Sequence, residues 1–182
     1  EGARVFRADL AEADLSQAQA AARLADDAIR KLGKVSIYVH CASPRRQESQ
    51  IIKNLKIEEW REMLAVNLDA AFILSQAISK HMIAPKVKGR ILLITSLHAE
   101  SPRNLPHYSA SKAGQTMLVK ELARALGPHG IRVNAIAPGA IPGGGFNAPP
   151  GMVDKIPLRR FGTPADVAGM GDNLTVLFAI ED

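Results

Sequence analysis

The chain is poor in cysteine, and this scarcity excludes several classes of protein. One cysteine, Cys41, stands among 182 residues, so no disulfide framework can form within the chain. A cysteine-based metal site is equally disfavoured, and the five histidines show no spacing typical of metal ligands. The sequence therefore predicts a protein of a reducing compartment that holds no metal.

Long apolar runs are absent as well, and aromatic residues make up only 4% of the chain. No apolar stretch approaches the ~20 residues that a membrane-spanning helix needs. The first residues, Glu1 to Arg4, lack the apolar segment of a signal peptide. We therefore expect a soluble, cytoplasmic protein without membrane contact, and the length fits one domain over residues 1–182.

The formal charge of +5 raises the question of nucleic-acid binding, but the basic residues are scattered. Arg45-Arg46 and Arg159-Arg160 are pairs and form no basic stripe of the kind that binds a phosphate backbone. We expect no nucleic-acid partner. An anionic substrate, a cofactor phosphate and an ordinary solvated surface all remain compatible with these arginines.

Apolar segments of strand and helix character alternate along the chain. Strands are predicted at residues 4–8 and 35–41 and from Ile91 and Ile131, and helices at residues 15–32, 57–80 and 108–126. This alternation is typical of an α/β fold with a parallel sheet and crossover helices. Residues 142–151 are predicted to form a mobile loop, and Gly169 to Asn173 to interrupt a late helix.

Tyr108 and Lys112 are the most informative pair in the sequence. A spacing of four residues is about one helical turn, which places the phenol and the ammonium group on the same face. A phenol titrates near ~10, and a nearby cation lowers that pKa toward a value useful for proton transfer. The alternative is an exposed tyrosine beside a solvated lysine, since this spacing is common on helices.

Ser96 follows the apolar run that begins at Ile91, at the point where the predicted strand ends. Parallel sheets bind ligands at the carboxyl ends of their strands, so Ser96 is placed to bond a substrate oxygen, although it is also a common turn residue. Pro138-Gly139 ends the next predicted strand in the same way.

In order and spacing these motifs resemble the short-chain dehydrogenase/reductase family of nicotinamide-dependent oxidoreductases. The resemblance covers most of the chain and implies a Rossmann-like, doubly wound parallel sheet. It implies a catalytic set of four residues: Asn67, Ser96, Tyr108 and Lys112. The residues that it implies for cofactor binding are Asp9, Leu10, Cys41, Ala42, Ser43, Tyr108, Lys112, Pro138, Gly139 and Ile141.

The mechanism implied by this resemblance is hydride transfer between nicotinamide and a carbonyl carbon. Tyr108 would be the general acid in reduction, and Ser96 would steady the carbonyl oxygen. Lys112 would lower the pKa of Tyr108 and bind the nicotinamide ribose. Asn67 would hold a water that links Lys112 to solvent.

The resemblance further implies a small carbonyl or alcohol substrate and NAD or NADP as cofactor. The chain looks most similar to 3-oxoacyl-carrier-protein reductases and sugar dehydrogenases. Members of the family are commonly dimers or tetramers, so we expect a homo-oligomer. The helices at residues 57–80 and 115–126 are expected to bury apolar surface between subunits.

Departures from the family pattern leave two main interpretations open. The sequence opens just before the family's third strand, without the glycine-rich pyrophosphate turn, and the first two strands and the last are missing. His40-Cys41-Ala42-Ser43 replaces Asn-Asn-Ala-Gly, and Gly143 stands where threonine is expected. The chain is therefore either part of a longer enzyme or a catalytically silent homologue that acts as a binding or oligomerisation module.

A glycine-rich dinucleotide motif is formally present at Gly143, Gly145 and Ala148. Such a motif must open a helix, and Pro149-Pro150 forbids one at this position. We therefore interpret the glycines as part of the loop.

Overall fold

The computed structural model describes residues 3–47, 49–143 and 148–173. Helices and strands alternate along these residues as the sequence predicts. The elements are α1 (Ala18–Leu32), β1 (Ile37–His40), α2 (Ile57–Leu64), α3 (Ala70–Ile83), β2 (Arg90–Ile94), α4 (Pro106–Leu126), β3 (Arg132–Ile136) and α5 (Pro164–Asn173).

The three strands form a parallel sheet in the order β1, β2, β3. Tyr38 pairs with Ile91 across the first ladder, and Ile91 pairs with Val133 across the second. Because parallel neighbours need long crossovers, α2 and α3 connect β1 to β2, and α4 connects β2 to β3. The predicted α/β architecture of Rossmann type is confirmed, and all three strands end at one edge.

The core lies between one face of this sheet and the helices. Ile91 and Leu93 of β2 are almost completely buried there, together with alanines of α1 and larger aliphatic side chains of α3. Small side chains such as Ala21 and Ala25 let α1 pack closely on α3. On the opposite face of β1, Ile37 and Val39 remain about half exposed.

The segment predicted as one helix over residues 57–80 contains an irregular turn. It begins at Ile57 as predicted, where the Glu59 carboxylate accepts the Lys56 N–H at 2.9 Å. Between α2 and α3, residues Ala65–Asp69 form a π-helical turn, in which the Ala70 N–H bonds the Ala65 carbonyl five residues back. Such turns often lie at functional sites. This one carries Asn67.

The strand predicted at residues 4–8 is wrong, since this segment joins no strand ladder. No described strand lies beside it, and without a neighbour its backbone groups have no ladder to join. Instead the Arg4 guanidinium donates to the Lys31 carbonyl at 2.9 Å. Helix α1 also begins three residues later than predicted, because Asp14 bonds the Ser16 N–H and hydroxyl in a local turn.

The predicted interruption of the last helix is also wrong. Helix α5 continues through the glycines to Asn173, since glycine weakens a helix without breaking it. Its first turn is capped from both sides: the Thr163 hydroxyl accepts the Asp166 N–H, and the Asp166 carboxylate accepts the Thr163 N–H.

Part of the predicted loop at 142–151, including Gly145 of the glycine motif, lies outside the described residues, and its mobility stays a prediction. Within the described ranges, no helix has the length and apolar character needed to cross a membrane.

Candidate active site

The carboxyl ends of the three strands bring distant parts of the sequence together. The Thr95 N–H and hydroxyl both bond the Ile136 carbonyl, at 2.8 and 3.0 Å, and the Leu97 N–H bonds the Pro138 carbonyl at 3.3 Å. The segment around Ser96 is therefore tied to the turn after β3. Three sets of predicted site residues follow the strands here: Cys41, Ala42 and Ser43; Ser96; and Pro138, Gly139 and Ile141.

Tyr108 and Lys112 lie on the buried face of α4, as their spacing predicts. Helix α4 begins at Pro106, which suits the first turn because proline has no N–H to leave unpaired. The Lys112 ammonium nitrogen lies 5.7 Å from the centroid of the Tyr108 ring. Both residues are buried, which excludes the alternative of a solvated pair.

The Lys112 side chain is held by two acceptors. Its nitrogen donates to the Ile94 carbonyl at 2.8 Å and to the Gln115 amide oxygen at 2.9 Å. Burial lowers the pKa of Lys112 to about 8, with a raising contribution from Cys41 and a lowering one from Arg46. Low dielectric disfavours the charged amine, so Lys112 gives up its proton more readily than a surface lysine.

Asn67 is fully buried and connected to the same helix. Its amide nitrogen donates to the Ser111 hydroxyl at 2.8 Å, and that hydroxyl donates to the Tyr108 carbonyl. Its backbone carbonyl accepts from the Gln115 amide nitrogen. The Asn67 side-chain oxygen finds no partner among the described residues. Gln115 thus connects Lys112 to Asn67 directly.

Sequence reasoning missed Ser111 and Gln115, although a signal existed. Ser111 lies three residues after Tyr108, and Gln115 lies three residues after Lys112 and seven after Tyr108. These spacings place all four on one face of a helix. Both polar side chains are fully buried and hydrogen-bonded, which distinguishes them from ordinary surface residues.

Ser96 is nearly buried and has an extended backbone at the end of β2. Its hydroxyl oxygen accepts the His98 N–H at 3.2 Å, which leaves the hydroxyl hydrogen to donate elsewhere. The His98 ring meets the Tyr108 ring edge to face, with centroids 5.0 Å apart. The turn after Ser96 therefore packs directly on Tyr108. Burial, then the charges of Arg46 and Arg103, lower the pKa of His98 to about 4, so His98 is neutral at neutral pH.

Arg46 is a further neighbour that the sequence reasoning did not place in the site. Its guanidinium carbon lies 4.6 Å from the centroid of the Tyr108 ring, in a cation–π arrangement. The Arg45-Arg46 pair was the only sequence signal. Its loop has no regular structure, so no periodicity could predict this contact.

His40 and His107 are buried, whereas His81 and His98 are half-buried and His129 is exposed. His40, at the end of β1, bonds the Tyr38 hydroxyl through Nδ1 at 2.8 Å. Burial, then the charge of Lys112, lower the pKa of His40 to about 4, and burial raises the pKa of Tyr38. His107, next to Tyr108, is fully buried. His40, bonded to Tyr38, thus stands where the family pattern has its first asparagine.

Some of the predicted cofactor residues are accessible at the sheet edge where β1, β2 and β3 have their carboxyl ends, here called the strand-end edge. Cys41, Ser43 and Gly139 are exposed, while Ala42, Pro138 and Ile141 are half-buried. Gly162 has no room for a Cβ against the Ile141 side chain, so the segment after β3 packs tightly on the residues before α5.

Asp9 and Leu10 are exposed in a separate turn before α1. The Asp9 carboxylate accepts the Ala11 N–H at 3.0 Å within that turn. Over the described part of the chain, no group of three or more potential ligands is arranged to hold a metal ion.

Comparison with known proteins identifies related sequences and structures. A family model described as short chain dehydrogenase matches residues 2–147. The uncharacterized oxidoreductase YohF of Escherichia coli is 34% identical over 172 residues, which cover 90% of this chain and 66% of that protein. The 3-oxoacyl-[acyl-carrier-protein] reductase of Synechocystis is 33% identical over 162 residues, covering 87% of this chain and 64% of that protein.

Among solved structures, an NAD+-bound xylitol dehydrogenase matches with a TM-score of 0.79 and 25% identity, over 91% of this chain and 71% of that one. The chain spans about two thirds of the length of these curated relatives.

Proposed function

The chain belongs to the short-chain dehydrogenase family. We propose that it carries the catalytic residues of an NAD(P)-dependent oxidoreductase, which interconverts a carbonyl and an alcohol. The observation that carries this proposal is the buried placement of Tyr108 beside Lys112, with Asn67 joined to the same helix. A catalytically silent binding module is not favoured, because such a module has no need to bury a lysine against a tyrosine.

The strand-end edge offers hydrogen-bond donors and acceptors that suit a nicotinamide nucleotide. Cys41, Ala42, Ser43, Pro138, Gly139 and Ile141 would line the cofactor, and Asp9 and Leu10 would lie toward its adenine. The Lys112 ammonium is a donor suited to ribose hydroxyls, and the unpartnered oxygen of Asn67 offers a buried acceptor nearby. The reduced cofactor, NADH or NADPH, would supply the hydride when bound, and the protein supplies orientation and proton transfer.

In the direction of reduction, the Tyr108 hydroxyl donates its proton to the substrate oxygen as negative charge develops there. Ser96 donates a hydrogen bond to the same oxygen through its hydroxyl hydrogen, while its hydroxyl oxygen accepts the His98 N–H. The positive charge of Lys112 stabilises the phenolate left on Tyr108. The Ile94 carbonyl and Gln115 fix the ammonium in that position.

The proposed substrate is a 3-oxoacyl thioester or a small ketone or sugar. Two similar proteins support these classes by their names, a 3-oxoacyl-[acyl-carrier-protein] reductase and a xylitol dehydrogenase. The same fold supports many substrates, so the choice depends on side chains around Tyr108.

We propose that the protein is a homo-oligomer that pairs α3 and α4. Phe72 on α3 and Met117 on α4 are large apolar side chains that stand about half exposed. Exposed apolar side chains on two adjoining helices are typical of subunit interfaces.

Tyr108→Phe tests the proposed reaction. Loss of the general acid is expected to lower kcat for carbonyl reduction by roughly 10²- to 10⁴-fold while NAD(P)H still binds. The chain has one other tyrosine, so Tyr38→Phe is a matched control that is expected to remain active. Full activity of Tyr108→Phe would refute the assigned role. A folded wild-type protein that binds neither NADH nor NADPH would instead support the binding module.

A further inference from the structure

Arg46 gives the space around Tyr108 a positive charge that no described carboxylate balances. Its guanidinium lies over the Tyr108 ring, at 4.6 Å from the centroid, and its side chain is half-buried. The ion pairs between described residues join Arg30 to Asp27, Arg159 to Asp154 and Arg160 to Asp166. Arg46 belongs to none of them.

Arg103 adds a second positive charge to this region, although the Glu59 carboxylate acts on His107, the neighbour of Tyr108. Arg46 and Arg103 both disfavour protonation of His98, whose ring contacts Tyr108, and Arg46 disfavours protonation of Lys112. Arg103 also lines a surface cavity of about 500 Å³, together with Lys53, Ser109 and the apolar residues Ile51, Ile52 and Leu105. Cations held close together repel one another, and a bound anion relieves that repulsion.

We infer that Arg46 is the anion-binding residue of the substrate site, and that the substrate is an oxo acid whose carboxylate pairs with Arg46 while its carbonyl meets Tyr108. This inference rests on the proposed function and specifies its substrate class. A guanidinium binds carboxylate through two parallel hydrogen bonds, which orients the substrate as well as attracting it. Because Arg46 contacts the ring of Tyr108 itself, the two groups are close enough to bind one small molecule, Tyr108 at its carbonyl and Arg46 at its carboxylate.

The test compares acetoacetate with its methyl ester, because the two share a ketone and differ in charge. In the wild-type protein, kcat/KM with NAD(P)H is expected to favour the acid. Arg46→Met removes the charge and keeps an apolar side chain of similar length. It is expected to lower kcat/KM for acetoacetate by roughly 10- to 100-fold, the loss typical of a charged hydrogen bond, and to lower kcat/KM for the ester much less. Arg45→Met is the matched control and is expected to change neither.

Several results would overturn the inference. An equal fall for acid and ester on Arg46→Met would mean that Arg46 acts on Tyr108 or on folding. A rise in the KM for NAD(P)H alone would place Arg46 on the cofactor, and a wild-type preference for the ester would exclude an anion subsite.

A binding measurement separates this inference from the proposed reaction. Calorimetric titration of the wild-type protein and Arg46→Met with acetoacetate reports the anion site without turnover. Binding that depends on Arg46 in a protein without reductase activity would support the site and refute the reaction. Turnover of the ester without Arg46-dependent binding of acetoacetate would support the reaction and refute the anion site.

Discussion

Replacement of Lys112 by methionine isolates the effect of burying one ammonium group. In the folded protein, burial lowers the pKa of Lys112 from 10.5 to about 8. In the unfolded chain the amine regains its ordinary value of ~10.4. Between these two values the unfolded state binds more protons than the folded state, so the free energy of unfolding rises with pH. Below pH 8 both states are protonated and the fold carries the full desolvation penalty.

The expected magnitude follows from these two pKa values. Raising the pH from about 7 to about 10 should stabilise the wild-type protein by about 2.5 kcal/mol relative to Lys112→Met, which has no amine to titrate. Most of this change should fall above about pH 8. The sign is opposite to that of a lysine stabilised by an ion pair, whose contribution would disappear as the pH rises.

The assay is urea unfolding of both proteins at several values between about pH 7 and pH 10. The quantity compared is the difference between their unfolding free energies, because other titrating groups cancel in that difference. Lys120→Met, on the exposed side of the same helix, controls for the loss of one lysine. A difference that stays constant within about 0.5 kcal/mol would refute the reasoning from burial.

Two further predictions concern the site and the assembly. Gln115→Met should lower the free energy of unfolding by about 1–3 kcal/mol, because Lys112 and the Asn67 carbonyl each lose a hydrogen-bond partner. The same change should reduce kcat more than it raises KM. Unchanged stability and kcat would show that the Gln115 amide contributes nothing. Phe72→Glu should shift gel-filtration elution toward the monomer, because Phe72 lies in the proposed interface of α3 and α4. Ile52→Glu, which lies outside α3 and α4, should leave the elution unchanged. A wild-type monomer at micromolar concentration would contradict the proposed interface.

Features that depend on local periodicity could be predicted from the sequence. The parallel order of the strands follows from their alternation with helices, and the shared face of Tyr108 and Lys112 follows from the helical repeat. Ser96 and Pro138 were placed at one edge because parallel strands end together. Local hydrogen bonds such as that from Ser16 to Asp14 shifted element boundaries without changing the element types.

Features that depend on distant partners could not be predicted. A strand exists only where another strand pairs with it, and residues 4–8 have the composition of a strand without a described neighbour. The contact between Arg46 and Tyr108 depends on the path of an irregular loop. The spacing of Gln115 from Lys112 places it on the same helix face, but its bond to the Asn67 carbonyl joins residues that are far apart in the sequence.

The π-helical turn at Ala65–Asp69 also bears on how this chain can change in length during evolution. A π turn takes up one more residue than an α-helix does over the same stretch. Deletion of one residue there would leave α2 and α3 as one regular α-helix, without the widened turn that carries Asn67. The Asn67 amide would then leave the Ser111 hydroxyl that it bonds in this structure. The extra residue thus makes the helix less regular and keeps the Asn67 amide bonded to α4.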